Sequence, residues 1–353
     1  MMRVFRFGTL LGLFLGLLAI AAPRPAEAAD LYTVKGVHED VTAASATEAR
    51  SIAQANAQRD ALGILMRRLT SSADWSRLPK ANDTTVQNAV RGFQVANEKS
   101  SSTRYIADLN VSFNPSVVRS MLRSAGILYG ETQAKQALLV PVYVKDGKAT
   151  LWDANPWHDA LASTDLDNAI TPFILPVGDV EEFSILTANS AIVGDKSAIS
   201  TLGQRYGADD VVVAIATTNA DGTLISVKAT RYGTDASAPI NRTYQSMADA
   251  AAGIVDALGE QWKRETIVAP GAEAHLTASV SFISLDQWQT IRQGLASTPL
   301  VKGLQVDGIT STSAEVQISY RGAPDKLALA LAQSNVDLTQ DPQGGWLLQA
   351  QAQ

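Results

Sequence analysis

One short stretch of the sequence brings together the side-chain types that a binding crevice or a hydrolase would use. Residues 151–159 read LWDANPWHD and contain two tryptophans, carboxylates, an amide and an imidazole. Tryptophan combines a large apolar surface with one N–H donor, so it can serve a site or a core equally well. The candidates in this stretch are Trp152, Asp153, Asn155, Trp157 and His158.

The predicted position of this stretch supports a binding site. It follows an apolar strand predicted over residues 137–144, and Asp179 follows a second strand predicted over residues 173–177. In open α/β sheets, ligands bind in the crevice beyond the carboxyl ends of the strands. Asp179 is therefore expected to face the same crevice as the LWDANPWHD stretch.

A structural interpretation of the same residues stays open. Asn155 and Pro156 are typical of a helix start, which would place Trp157 in the first turn with Leu161 on the same face. On this interpretation Trp157 packs onto the sheet, Trp152 closes the core under a loop, and His158 points away. The aromatic rings would then stabilise the fold and bind nothing.

The remainder of the sequence offers no catalytic grouping, and we predict no cofactor and no metal. His38, His158 and His275 fall in three different predicted modules, without the close spacing of metal ligands. The chain has no cysteine, which excludes disulfides, thiolate ligands and thiol nucleophiles. The adjacent acidic residues at 181–182 and 209–210, and the arginines at 67–68, are interpreted as solvated surface.

Three small modules of α/β and α+β type are predicted from the order of helix and strand patterns. Residues 30–129 give the order β-α-α-β-β-α, and Ser45 with Glu48 forms a capping box that opens a long helix. Residues 136–267 alternate helices with apolar strands, which favours a mixed sheet covered on its faces. Residues 273–353 follow the ferredoxin-like βαββαβ order, with a final hairpin.

The amino terminus is typical of a secretory signal peptide. Arg3 and Arg6 precede an apolar run over residues 10–22, and small residues follow at 26–29. We expect a signal peptide over residues 1–28, cleavage after Ala28 or Ala29, and a periplasmic protein without a membrane span. An uncleaved anchor is the alternative. Removing these residues takes away three arginines and one glutamate, so the net charge falls from −6 to −8, which argues against nucleic-acid partners.

The chain resembles the bacterial envelope family described as domain of unknown function 2066. The blocks that carry the resemblance include YTVKGVHEDVTAASATEAR, LLVPVYV with LWDANPWHDAL, LPVGD and LGQRYGADDVVVA. The middle module also looks like the TolB amino-terminal and CsgG-like folds, and the first module is similar in order to flagellar-ring proteins of the FlgT type. These resemblances imply a periplasmic scaffold or assembly partner and assign no activity.

Two functions of different classes follow from these observations. The first is a non-enzymatic interaction or assembly protein that presents sheet edges and loops to another envelope protein. The alternative is a small-ligand binder or hydrolase that uses the crevice around Trp152, Asp153, Trp157, His158 and Asp179.

Overall fold

Three β-sheets organise the part of the chain that the computed structural model describes, residues 31–219, 221, 223–233, 237–268 and 273–351. The fold is mixed α/β and α+β, as the sequence predicts. The signal peptide predicted over residues 1–28, with its cleavage after Ala28 or Ala29, lies outside the described residues. Within these residues, the helices are too short or too polar to cross a membrane.

The first sheet is antiparallel and has the strand order β1-β3-β2. A long helix, α1 (Ala46–Leu69), is capped by Ser45, whose Oγ accepts the Glu48 N–H at 3.2 Å. The Glu48 carboxylate reaches back to the Ala44 N–H at 3.2 Å, one residue before the N-cap that the capping box predicts. The elements are β1 (Thr33–Thr42), α1 (Ala46–Leu69), α2 (Asp83–Ala89), β2 (Val90–Ser100), β3 (Arg104–Phe113) and α3 (Pro115–Ser124).

Strand β2 is longer than the sequence suggests. The polar residues 97–103 are predicted to be a connection, yet the strand continues to Ser100. The pairing register shifts between Ala96 and Lys99, and Asn97 in this interval has a φ of 53°. Asparagine tolerates this left-handed conformation better than most residues, which allows a bulge where the polarity pattern predicts a turn.

The second sheet has the order β5-β4-β7-β8-β9, and β6 also pairs with β4. Strand β4 is continuously apolar because its alternate residues enter two cores. Leu139 packs with Trp157 and Ile254, whereas Leu138 packs with Leu202. Its elements are β4 (Ala137–Lys145), β5 (Lys148–Thr150), α4 (Pro156–Ala162), β6 (Phe173–Ile174), α5 (Val180–Ile185), α6 (Ala188–Val193), α7 (Lys196–Arg205), β7 (Val211–Thr218), β8 (Ile225–Tyr232), β9 (Ile240–Tyr244) and α8 (Met247–Thr266).

The third sheet follows the predicted element order but has an unexpected strand arrangement. Its order is β11-β12-β10-β14-β13, and β14 lies between β10 and β13, parallel to β10. In the ferredoxin-like order the fourth strand, here β13, would pair with the first strand, here β10. The last strand, β14, takes that place, and β13 lies at the edge of the sheet. The elements are β10 (Glu273–Ser281), α9 (Leu285–Ser297), β11 (Val301–Ile309), β12 (Ser313–Arg321), α10 (Pro324–Ala332), β13 (Val336–Gln340) and β14 (Trp346–Ala350).

Buried polar contacts join the three sheets, and Leu31–Gln353 form one compact unit. Arg68 is buried and donates to the backbone oxygens of Leu31, Thr33 and Asn168, so its assignment to the solvated surface is wrong. The third sheet is joined through the region of α10, where Lys326 Nζ donates to the Ile267 oxygen at 2.6 Å and the Gln333 side-chain oxygen accepts the Lys135 N–H at 2.8 Å. The boundaries of the modules predicted over residues 30–129, 136–267 and 273–353 remain predictions, since contacts of this kind cross them.

Candidate functional site

An interruption along one edge of β4 forms the base of the candidate site. The Leu138 N–H donates to the Asp210 oxygen on the β7 side, so Leu139 and Pro141 direct their backbone groups to the opposite edge. Along that edge, β6 pairs with the start of β4 and β5 with its end. Pro141 lies between these pairings and has no N–H to offer a further strand. Loops can therefore enter here.

Asn155 fills this interruption and is part of the scaffold. Its amide nitrogen donates to the Pro141 oxygen at 2.7 Å and to the Leu151 oxygen at 2.9 Å. Its side-chain oxygen accepts the backbone N–H groups of Trp157 at 3.0 Å and His158 at 3.1 Å, which caps α4. An amide has two donors and two acceptor positions, so all of them are used. Asn155 is buried and has no hydrogen-bonding group left for a ligand.

Trp157 belongs to the core. Its side chain is 0% exposed, and the indole N–H donates to the Ala214 oxygen at 3.0 Å. Leu161, one turn along α4, packs in the same apolar cluster. The helix start at Asn155 therefore directs the ring inward, as the structural interpretation predicts.

Trp152 lines a small cleft of about 150 Å³, together with Asn155, His158 and Gly178. Its indole N–H donates to the Leu186 oxygen at 2.8 Å, and its ring stacks on Phe183 with centroids 5.8 Å apart. Gly178 has a φ of 75°, and a Cβ there would lie 3.6 Å from the Trp152 ring. Because that distance is an ordinary van der Waals contact, the left-handed backbone conformation, and not the space beside the indole, favours glycine at this position.

Asp179 belongs to a polar network that holds this loop. Its carboxylate caps α5 by accepting the N–H groups of Glu181 and Glu182 at 3.0 Å, and it accepts a hydrogen bond from Arg205 at 2.5 Å. The Glu182 N–H and the Arg205 guanidinium hold the pKa of Asp179 below its usual range. Asp179 is not among the residues that line the cleft described above, whereas Val177 and Gly178 of the same loop are, so its place in a shared crevice stays a prediction.

Glu182 is the residue that sequence reasoning missed. It is 0% exposed, although residues 181–182 are predicted to be solvated. Its carboxylate accepts the Gly178 N–H at 2.5 Å and the Tyr206 hydroxyl. Burial first, and then the Glu182 carboxylate, raise the pKa of Tyr206 to about 12. An aspartate followed three residues later by glutamate is a helix-start signature, and this signal at Asp179 could have identified the network.

His158 and Asp153 are the remaining candidates. His158 lines the cleft beside Trp152, and its Nδ1 lies 3.5 Å from Asp159 Oδ1. Asp153 is exposed and lines a neighbouring depression instead. In the described part of the chain, no three histidine or acidic side chains are grouped as a metal ion would require. The cleft can offer a ligand the indole of Trp152, the imidazole of His158 and the carboxylate of Asp159.

Sequence comparisons place one recognised region on this architecture. The family model of a domain of unknown function, DUF8605, matches residues 28–130, which include the first sheet and its helices. No curated protein matches the chain. The match carries no link to the domain of unknown function 2066 or to the TolB and CsgG-like folds, so those resemblances stay predictions.

Proposed function

We propose that this chain is a non-enzymatic interaction or assembly protein of the bacterial envelope, exported to the periplasm. The observation that carries the proposal is the exposed edge strand β2. It is eleven residues long, and its residues after Val90 are exposed on both faces of the sheet. The bulge between Ala96 and Lys99 protects the end of this edge, whereas the segment before it, which carries Phe93 and Val95, remains a template for pairing. A strand of a partner would fit this edge by β-augmentation.

The register of the sheet explains why β2 is uncovered. Phe93 pairs with Val111, and Val95 pairs with Leu109, so these four side chains share one face. Helix α1 buries Val111 and Leu109 completely but leaves Phe93 41% and Val95 37% exposed. The apolar surface of the sheet therefore continues past the helix to its free edge, where a partner can cover it.

The proposed compartment follows from the amino-terminal pattern and the composition. Arg3 and Arg6, the apolar run over residues 10–22 and the small residues at 26–29 have the order of a secretory signal. A chain without cysteine folds without regard to the redox state of the compartment. Mass spectrometry of the protein purified from its native host should find mature chains that begin at Ala29 or Asp30. Mature material that retains Met1 would contradict export with cleavage.

Crosslinking in intact cells, followed by affinity purification, tests the interaction. A reproducible envelope protein should be recovered with the wild-type chain and lost with the double variant Phe93→Lys, Val95→Lys. The double variant Gln94→Lys, Ala96→Lys is the matched control, because it adds the same two charges on the opposite face of the same strand. If the wild type and both variants recover the same amount of the envelope protein, the edge of β2 is not its binding site. Equal unfolding midpoints of the variants would show that recovery reports binding and not folding.

The cleft beside Trp152 supports a second candidate, a small-ligand binder or hydrolase. The observation in its favour is that Trp152 and His158 both line the cleft, with space for a small group between them. A ligand that stacks on Trp152 should change its fluorescence emission. The change should be smaller in His158→Ala, because this variant removes the second group that contacts the ligand. Trp152→Phe identifies the signal, because it removes the indole of the cleft and keeps an aromatic ring. A screen of small metabolites that leaves the emission unchanged would count against this candidate.

A further inference from the structure

A second cavity lies where the three sheets meet, away from the edge of β2. Its volume is about 270 Å³, and its lining comes from the end of α3 and the segment after it, the end of α8, the start of β11 and the end of β12. At about 30 Å³ for each water-sized atom, this space holds roughly nine non-hydrogen atoms. The apolar part of its wall consists of Ile127, Leu128, Tyr129, Val268 and Leu300.

The walls of this cavity are held in place by contacts outside it. Gly130 donates its N–H to the Leu69 oxygen at 2.9 Å. A Cβ at Gly130 would lie 3.1 Å from Ile267 Cγ1, so the two segments approach closely. On the other side of Ile267, Lys326 Nζ donates to its backbone oxygen at 2.6 Å. The space is therefore formed before any ligand enters, which lowers the cost of binding.

Positive charge is concentrated on the same lining. Arg123, Lys302 and Arg321 all line the cavity. Among the ion pairs between described residues, none includes these three cations. Glu131 also lines the cavity, but its carboxylate accepts hydrogen bonds from Arg119 at 2.8 Å and from the Tyr32 hydroxyl.

Like charge acts on Lys302 from nearby, and the carboxylates of Glu131 and Glu273 offset it only in part. Burial, and then the positive charge of Arg321, lower the pKa of Lys302. Lys302 Nζ donates to the neutral Pro299 oxygen at 2.7 Å, which fixes the amine without neutralising it. This excess of positive charge is unusual in a chain whose net charge is −6.

We propose that this cavity binds a small amphipathic anion. Its apolar body lies against Ile127, Leu128 and Leu300, and its carboxylate, or a comparable anionic group, pairs with Lys302 and Arg321. An anion at this position offsets the repulsion between the cations and forms charge-assisted hydrogen bonds with them. The apolar wall explains why the ligand carries a body and is not a bare inorganic ion. The proposal is independent of the interaction function, because the cavity and β2 share no residue.

Calorimetric titration of the chain with four probes tests the pairing of charge and apolar surface. Octanoate should bind, and acetate, 1-octanol and octyltrimethylammonium should each bind at least about tenfold more weakly, as expected for the loss of one charge-assisted contact. Equal binding of octanoate, octanol and the octyl cation would show a merely apolar cavity and overturn the proposal. Absence of octanoate binding would overturn it as well.

Variants locate the binding. Lys302→Gln and Arg321→Gln should each weaken octanoate binding about tenfold, since each removes one cation from the lining. Lys228→Gln is the matched control. Lys228 is exposed on β8, and its substitution changes the net charge of the chain by the same amount. If Lys302→Gln fails to fold, Arg123→Gln at the exposed end of α3 replaces it. Unchanged octanoate binding in the cavity variants would place the ligand elsewhere and refute the assignment.

A last arm separates a free amphiphile from a membrane head group. Sedimentation with vesicles of phosphatidylcholine and phosphatidylglycerol should leave the chain in solution. If the chain pellets with these vesicles, and Lys302→Gln abolishes the pelleting, the cations recognise a membrane and the free-ligand proposal is wrong.

Discussion

Arg68 and Asn168 lie 100 residues apart in sequence and join the first sheet to the second. The Arg68 Nε donates to the Asn168 backbone oxygen at 2.7 Å, and Nη2 donates to the side-chain oxygen at 2.7 Å. Asn168 in turn exchanges hydrogen bonds with both backbone groups of Lys35, at 2.9 and 2.7 Å. One arginine and one asparagine thereby fix the orientation of β1 relative to the loop before β6.

Replacing Arg68 should destabilise the whole unit. Arg68→Ala removes four hydrogen bonds from a buried cation and leaves buried carbonyl oxygens without donors, so we expect a loss of about 2–4 kcal/mol in the free energy of unfolding. Urea denaturation measures the change. Arg67→Ala is the control, because the Arg67 side chain is exposed and its loss should cost under about 0.5 kcal/mol. Equal effects of the two variants would contradict the role of Arg68.

Trp157 should contribute mainly to stability. Trp157→Ala should lower the free energy of unfolding by about 3–5 kcal/mol, because it empties a completely buried position. Trp157→Phe keeps most of the ring but removes the indole hydrogen bond to the Ala214 oxygen, so a smaller loss of about 1 kcal/mol is expected. His158→Ala should change stability little. A melt unchanged in Trp157→Ala, together with lost binding to a partner, would reverse this assignment.

The pH dependence of stability should contain a contribution from Asp179. Its pKa in the folded chain is held below the unfolded value by the Glu182 N–H and by Arg205, so the carboxylate stabilises the fold above the unfolded pKa. This contribution is lost as pH falls through the lowered pKa of the folded state. Denaturation of the wild type and of Asp179→Asn, which cannot titrate, should give curves that converge in acid. Parallel curves from neutral to acidic pH would disprove this contribution.

The third sheet should fold when expressed alone. Its core includes Trp288, Ile291 and Leu348 and forms a cluster separate from the cores of the other sheets. A chain of residues 273–351 should therefore unfold cooperatively in a thermal melt. Lys326→Ala should leave this fragment unchanged and destabilise the full chain, since its amine donates to Ile267 outside the fragment. A featureless melt of the fragment would show that the neighbouring contacts are required.

The sequence predicts those parts of the fold that depend on local chemistry. Ser284 caps α9 by accepting the Gln287 N–H, as the capping pattern indicates, and the Gln287 side chain accepts the Ile283 N–H, one residue before the N-cap. Asn155 and Pro156 likewise predict α4 and the inward direction of Trp157. In these cases a few adjacent residues contain all the groups that form the hydrogen bonds. The sequence pattern alone is therefore enough to predict these helix starts.

Features that depend on residues distant in sequence are not predictable in the same way. In the sequence, nothing distinguishes Arg68 from its exposed neighbour Arg67. The difference is the contact of Arg68 with Asn168, which only the tertiary structure shows. At Glu182 the helix-start signature accounts for the nearby Gly178 N–H, but the Tyr206 hydroxyl that also donates to it lies 24 residues away. Polarity alone predicts an exposed side chain at both positions. Only the tertiary structure supplies the partners that make burial of these charges favourable.

Because β14 lies beside β10, the third sheet can be completed only late in the synthesis of the chain on the ribosome. Residues 278–280 of β10 pair with residues 346–348 of β14, so the ribosome adds the neighbour of β10 about seventy residues after β10 itself. Until that point β10 has a partner strand on one edge only, and an unpaired β edge can associate with other chains. A nascent chain halted before Trp346 therefore has an open third sheet, and it is a substrate for chaperones or for aggregation.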